Sequence, residues 1–407
     1  MGCFRIDLTS PLELIFYALS LLQAYRAVQL AVSIQKDWSG FRQPPLTPRK
    51  MQMVESASFL LAIPPSVLIH EYFHAIPIWQ FGGRVVNCGY GFYWGYVQPD
   101  RFFPPTQEWI ISIGGTVGSL LFAAVLFAFL NWNKSRTLRY FGRQSLRMLL
   151  HFSLIYYPIF TALTFIGDWR IIYDFRATPV LSGATAVVHI LILLLFWQAN
   201  RRGWFEMVGH DSVEDAEAFA QLQEQRRLNP HDAQLTLQVV DAMRQGGAPH
   251  RAISLLQQAI RQNPNVAGFY LQLALLQHGG KGNVPGTAVR NLEKALQLGL
   301  SDPRQQAMAY HLLGQHALDK GQGQEALDHL DKAIRAVDTW TETPINPLFR
   351  ANLYHLRSLV QQRLHQPELA RQDAQRAVDL AQGTGNERAA AFYQQKLEMI
   401  ENWNGRR

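Results

Sequence analysis

The pattern of apolar and polar positions changes near residue 204. Before that point apolar residues run together in stretches of the length a bilayer core requires, roughly 20 residues per helical crossing. Five such stretches occur, at about residues 12–34, 57–79, 109–132, 148–166 and 184–197. After it, shorter apolar runs recur at helical spacing between brief polar turns, which predicts paired soluble helices. The expected fold is therefore predominantly all-α, with a polytopic transmembrane helical bundle over 1–204 and a helical solenoid over 205–407.

The five stretches are not equivalent. Trp109 and Trp132 bracket the third, as interfacial anchors do. The first carries Ser20, Gln23, Arg26 and Gln29 at helical spacing, a pattern that also suits a helix lying on a membrane surface. Four to five spans are thus expected. No small-residue cleavage site follows the first stretch, so it reads as a retained helix rather than a signal peptide.

Charge sharpens this picture. The 407 residues carry a formal charge of +7, but residues 1–204 hold 17 basic and 9 acidic side chains, and the rest 21 and 22. The whole excess sits beside apolar stretches, so the high isoelectric point is a membrane feature and no nucleic-acid partner is expected. The loops after the first, third and fifth stretches contain Lys36, Arg42, Arg49 and Lys50; Lys134, Arg136, Arg139, Arg143 and Arg147; and Arg201 and Arg202. The opposite side has Arg5, Arg84, Arg101, Arg170 and Arg176. The positive-inside rule then places the richer loops and the C-terminal half in the cytoplasm. Cys3 and Cys88 are the only cysteines, which excludes a disulfide-stapled secreted domain.

Candidate chemistry lies inside the second stretch, in His70-Glu71-Tyr72-Phe73-His74. Histidines at i and i+4 project from one helical face, so both imidazoles can reach one Zn2+ ion. Glu71 between them can take a proton from the attacking water and return it to a leaving amine. Three ionisable groups on one apolar turn are costly unless they face a metal, a partner or a water-filled cavity. Pro64 and Pro65 predict that this helix starts near Pro65, because proline suits a first turn and breaks an interior. A catalytic zinc usually takes a third protein ligand. Asp168, at the end of the fourth stretch, is the leading candidate, since the second and fourth stretches run in the same direction. Asp174 is the alternative, though beside Arg176 it also reads as a solvated loop residue. His151 and His189 are isolated and read as packing histidines.

These residues resemble the site-2 protease family of polytopic membrane zinc metalloproteases, over about residues 55–200. Beyond His70-Glu71-x-x-His74, the segment Gly82-Gly83-Arg84-Val85-Val86 with Gly89, Gly91 and Gly95 looks like the family's β-hairpin region after the zinc helix. Ile113-Gly114-Gly115-Thr116-Val117-Gly118-Ser119 resembles its glycine-rich packing helix, and Gly167-Asp168 occupies the place of its second zinc motif. The resemblance implies zinc held by His70, His74 and Asp168, and hydrolysis of membrane-protein substrates in or near the bilayer. It also implies a bacterial plasma membrane. The chain departs from the family in having Gly167-Asp168-Trp169 where many members have Asn-Pro-x-x-Asp-Gly, and in lacking the glycine-rich helix's usual asparagine and a PDZ-like insertion.

In the C-terminal half, Ala218 to Ala252 and Pro230 to Pro264 are each 34 residues apart, a period typical of helical-hairpin solenoids. Alanines also recur seven apart at Ala252/Ala259, Ala288/Ala295, Ala326/Ala333 and Ala370/Ala377. The unit containing Tyr310, Leu313, Gly314, Gly321, Ala326 and Ala333 resembles a tetratricopeptide repeat (TPR). Longer loops are expected near residue 281 and over 341–347, with a capping helix over 386–402. His311 and His316 are five apart and are not expected to share a metal. Such arrays bind proteins or peptides. Two functions therefore fit the sequence: a membrane zinc protease with a recruiting domain, or a catalytically inactive membrane scaffold that recruits through its repeats.

Overall fold

A computed structural model describes residues 11–164, 166–280, 282–339 and 346–404. Cys3, Arg5, Lys281 and most of the loop expected over 341–347 lie outside the described residues. The chain forms two compact units, Met1–Gln221 with Ala242–Arg251, and Leu222–Asp241 with Ala252–Arg407.

The first unit begins with α1 (Pro11–Lys36), α2 (Trp38–Arg42), α3 (Pro48–Leu60) and α4 (Ile63–Gln80). Thr47 starts α3 by accepting the Lys50 N–H at 3.3 Å, and Pro48 follows in the first turn, where its missing N–H costs nothing. Pro64 and Pro65 act alike at the head of α4, which starts at Ile63, close to the expected position. Next come the antiparallel hairpin β1 (Val85–Tyr90) and β2 (Gly95–Pro99), with Cys88 opposite Val97 and Tyr90 opposite Gly95. α5 (Pro105–Asn131) turns Ser112, Gly115, Thr116, Gly118 and Ser119 inward, and these small residues let α4 approach closely. α6 (Arg136–His151) runs through a π-helical turn (Phe152–Tyr156) into α7 (Tyr157–Thr164). Short α8 (Trp169–Ile172), α9 (Pro179–Arg201) and α10 (Val213–Leu228) follow.

Among the described residues, four helical segments are long and apolar enough to cross a membrane, by length and composition: Pro48–Gln80, Pro105–Asn131, Arg136–Thr164 and Pro179–Arg201. They take in the second to fifth stretches; α1 is not among them. Each helical segment begins before its apolar stretch, because backbone hydrogen bonding continues through polar ends that hydropathy leaves out.

The rest of the chain is an all-α solenoid. α11 (Ala233–Gln245) and α12 (Pro249–Gln262) come first, then the hairpins of α13 (Ala267–His278) with α14 (Gly286–Leu298), α15 (Pro303–Asp319) with α16 (Gly323–Asp338), and α17 (Pro347–Arg363) with α18 (Pro367–Gln382). α19 (Glu387–Asn404) closes the array, burying Tyr393, Leu397 and Ile400 against α18 alanines. All eight alanines of the seven-apart pairs are buried, which explains their size, since a larger residue would separate the helices. Ala218 is exposed on α10, so its 34-residue offset from Ala252 does not relate equivalent packing positions. Arg357 ties three helices together, reaching Asp373 through Nε at 2.6 Å and Nη2 at 2.9 Å, and Asp331 through Nη1 at 2.7 Å.

Two buried solenoid histidines give this domain a pH dependence. Burial pushes His311 down to about 4, helped by the nearby His278, and does the same to His355, helped by Lys396. Unfolded, both would titrate near 6.5. Between those values the unfolded chain binds more protons, so stability is complete above about pH 6.5 and falls as the pH drops towards 4. The expected loss is of order a few kcal/mol, lowering the solenoid's Tm by roughly 5–10 °C. Circular-dichroism melts of the detergent-purified chain at pH 7 and 4.5 measure it. Identical midpoints would show that these rings are not held neutral by burial.

Candidate metal centre

The α4 backbone places His70 and His74 one turn apart on the face towards α5, and Glu71 towards the hairpin. Asp168 enters from beyond α7. Its Oδ2 lies 2.9 Å from His70 Nε2 and 3.1 Å from His74 Nε2. The three ligand-type atoms lie within 4.8 Å of one another, although Asp168 is 98 residues from His70. All three side chains are largely withdrawn from solvent, with exposures of 12%, 9% and 20%.

Each ring is oriented from behind. His70 Nδ1 lies 3.2 Å from Ser119 Oγ, and His74 Nδ1 lies 2.6 Å from the Ile111 carbonyl oxygen, both on α5. A carbonyl oxygen can only accept, so His74 carries its hydrogen on Nδ1. A neutral His74 then turns an Nε2 lone pair directly at the Asp168 carboxylate. A proton or a metal ion between two such acceptors would balance them. The donor set of two imidazole nitrogens and one carboxylate oxygen suits a zinc ion with one position left open. Where imidazoles do bind a metal, outer hydrogen bonds of this kind hold the rings in the required tautomer and direction.

Tyr157 positions the aspartate. Its O–H donates to Asp168 Oδ2 at 2.9 Å, and its oxygen accepts the Asp168 backbone N–H at 3.2 Å. It stands just past the π-helical turn, a kind of irregularity that often marks functional sites. Gly167 makes the approach to Asp168 with φ +122°, a conformation L side chains rarely adopt. A Cβ there would lie 2.7 Å from Thr161 Oγ1. No local sequence pattern singles out Tyr157. One tyrosine in an aromatic-rich apolar stretch looks like packing, and a π turn has no simple sequence signature.

The glycines at the site keep space open. A Cβ on Gly115 would lie 2.6 Å from His70 Nε2 and also strike His74 Nε2. One on Gly95 of β2 would lie 2.6 Å from Glu71 Cγ and 2.8 Å from Oε1. The hairpin backbone thus lies directly against the Glu71 side chain.

The other candidates are placed elsewhere. Asp174 is exposed, and its Oδ1 accepts the Arg176 and Ala177 N–H groups at 3.0 Å, closing its own turn. His189 donates through Nε2 to the Leu154 carbonyl at 2.8 Å and accepts from the Tyr173 hydroxyl through Nδ1. His151 packs against Tyr156 and Phe196. His311 accepts from Asn352 Nδ2 at 3.0 Å, while His316 Nδ1 donates to the Val284 carbonyl at 3.0 Å.

No known protein family and no curated protein matches the chain's sequence. Among solved structures it is similar to MamA from Desulfovibrio magneticus RS-1, with 21% identity over 42% of this chain and 95% of that one, at a TM-score of 0.30. YrrB, described as a TPR protein with an unusual peptide-binding site, shows 14% identity over 43% of this chain and 97% of its own, at 0.25. The APC/C hetero-tetramer Cut9–Hcn1 shows 15% identity over 73% of this chain and 52% of its own, at 0.33. At such TM-scores these structures carry no argument about function.

Proposed function

We propose that this chain is an integral-membrane zinc metalloprotease resembling the site-2 protease family, whose TPR-like solenoid recruits a protein substrate or partner. The observation carrying this reading is the meeting of His70, His74 and Asp168 beside Glu71, all borne by or next to helices apolar enough to cross a bilayer. Ionisable residues kept in that setting are most often functional.

In this reading His70, His74 and Asp168 would hold the zinc, with Ser119, the Ile111 carbonyl and Tyr157 fixing their directions. The ion would supply Lewis acidity towards a peptide carbonyl and make water easier to deprotonate. Glu71 takes the proton of the attacking water, then delivers it to the departing amine as the C–N bond breaks. The C–O bond to the water oxygen forms, the C–N bond breaks, and the proton passes from water to amine through Glu71, so no redox partner is required. Burial of the site limits competing bulk water, and the hairpin beside Glu71 offers backbone close to where an extended substrate would lie.

The four apolar segments would lie in a bacterial plasma membrane, with the basic loops and the solenoid cytoplasmic. The intended substrate would be a membrane protein brought to the site through the repeats. Metal analysis of the full chain purified in mild detergent checks the core of this reading. About one zinc per chain is expected, removable by a chelator, with cleavage of reconstituted membrane-protein substrates lost and then restored on zinc addition. A chain that takes up no zinc would overturn it.

A further inference from the structure

The first unit contains a second site of a different kind. A cavity of about 450 Å³ opens between α6, the end of α9 and the turn that follows it, within the size range of small-ligand pockets. Arg143, Arg202 and Arg251 line it, together with Leu195, Trp204 and Glu206. Three arginines and one glutamate thus line the same cavity.

That carboxylate is already engaged. Glu206 Oε1 accepts from His250 Nδ1 at 2.6 Å and from the His250 N–H at 3.3 Å, and Oε2 accepts the Arg251 N–H at 3.0 Å. Among the described residues, neither Arg143 nor Arg202 has an ion-pair partner, and the Arg143 Nε is buried with no hydrogen-bond partner. Arg143 is also close enough to Arg139 and Arg251 to feel both charges. A cluster of like charges with a buried, unused donor is incomplete without an anion.

The pocket is firmly built. Gln144 Nε2 donates to the Phe205 carbonyl at 2.9 Å, Phe205 is buried against Phe196, and Trp204 packs on Phe127 with ring centres 5.3 Å apart. Gly203, at φ +67°, makes the turn that brings Arg202, Trp204 and Glu206 to one wall. This wall follows the last residue of an apolar segment, beside Trp197 and Arg201, whose cation–π contact is of the kind found at headgroup level.

We propose that this pocket binds a phosphate group, and that its source is the headgroup of an anionic phospholipid in the basic-side leaflet. Planar guanidinium groups pair with phosphate oxygens two at a time. Leu195 and Trp204 give the neighbouring glycerol and acyl carbons an apolar wall. The phosphate chemistry stands on the pocket alone, whereas the lipid source rests on the membrane placement proposed above.

The test uses the full chain in nanodiscs of phosphatidylcholine with or without phosphatidylglycerol, counting retained lipid by native mass spectrometry. Wild type is expected to retain phosphatidylglycerol roughly tenfold over phosphatidylcholine. Arg143→Gln with Arg202→Gln is expected to remove that preference, while Arg143→Lys with Arg202→Lys keeps most of it. Far-UV circular dichroism confirms that both pairs are folded. Equal retention of the two lipids by wild type with no binding of inorganic phosphate, or unchanged preference in a folded glutamine pair, overturns the whole proposal. Tight binding of inorganic phosphate in phosphatidylcholine discs, without a phosphatidylglycerol preference, overturns the lipid source and assigns the pocket to a soluble phosphate. A chain that does not enter discs overturns the membrane placement and the lipid source together. A chain that retains phosphatidylglycerol but takes up no zinc overturns only the protease reading.

Discussion

Glu71→Gln is expected to lower peptide hydrolysis by about 10²–10⁴-fold while zinc content stays at the wild-type level. The substitution keeps side-chain length and volume, so the close approach of Gly95 to Cγ and Oε1 is undisturbed. His70, His74 and Asp168 keep their mutual distances, because none of those contacts passes through Glu71. What changes is the ability to accept and return a proton, since an amide does neither. Metal analysis with a cleavage assay separates the two quantities in purified protein. Comparison of membrane-protein fragments in strains carrying wild type or Glu71→Gln reads the same effect in cells. Zinc at full occupancy with equal cleavage in both proteins would remove Glu71 from the mechanism. No fragment differing between the strains would favour a scaffold that recruits through its repeats without cutting.

Asp168→Ala should have a comparably large effect for a different reason. It deletes the oxygen on which both Nε2 atoms converge and strands the Tyr157 hydroxyl without its acceptor. Loss of a mere outer-shell partner typically weakens metal affinity 10–100-fold, so removal of a direct ligand is expected to exceed about 100-fold. Asp174→Ala should leave zinc affinity unchanged, because that carboxylate only closes its own exposed turn. Titration of both variants with a zinc chelator of known affinity decides between them. Weakened zinc in Asp174→Ala, with Asp168→Ala unaffected, would reverse the assignment.

How much of this was legible in the sequence depends on how local each signal is. The i, i+4 histidines and the intervening glutamate occupy one helical turn, so their shared face follows from helix geometry alone. The seven-apart alanines likewise report a repeating need for small residues where solenoid helices touch. The first 34-residue offset misled, because an alanine also suits an exposed helical position, and Ala218 occupies one. Segment ends were poorly legible, since hydropathy marks the apolar middle of a helix while its hydrogen bonding continues beyond.

Local helical and turn preferences, together with burial of apolar side chains, are written directly in residue order. From them the sequence by itself determined an apolar helical half, a helical-repeat half, the pairing of His70 with His74, and the clustering of basic charge beside apolar stretches. Only tertiary structure decided that Asp168 meets both histidines, that Tyr157 holds it there, and that Gly115 and Gly95 keep the space around the two histidines and Glu71 clear. It likewise gathered Arg143, Arg202 and Arg251 around one cavity from three separate segments. These are contacts between distant positions, set by how helices pack and by the path of a π turn and a positive-φ glycine, and no spacing along the chain encodes them.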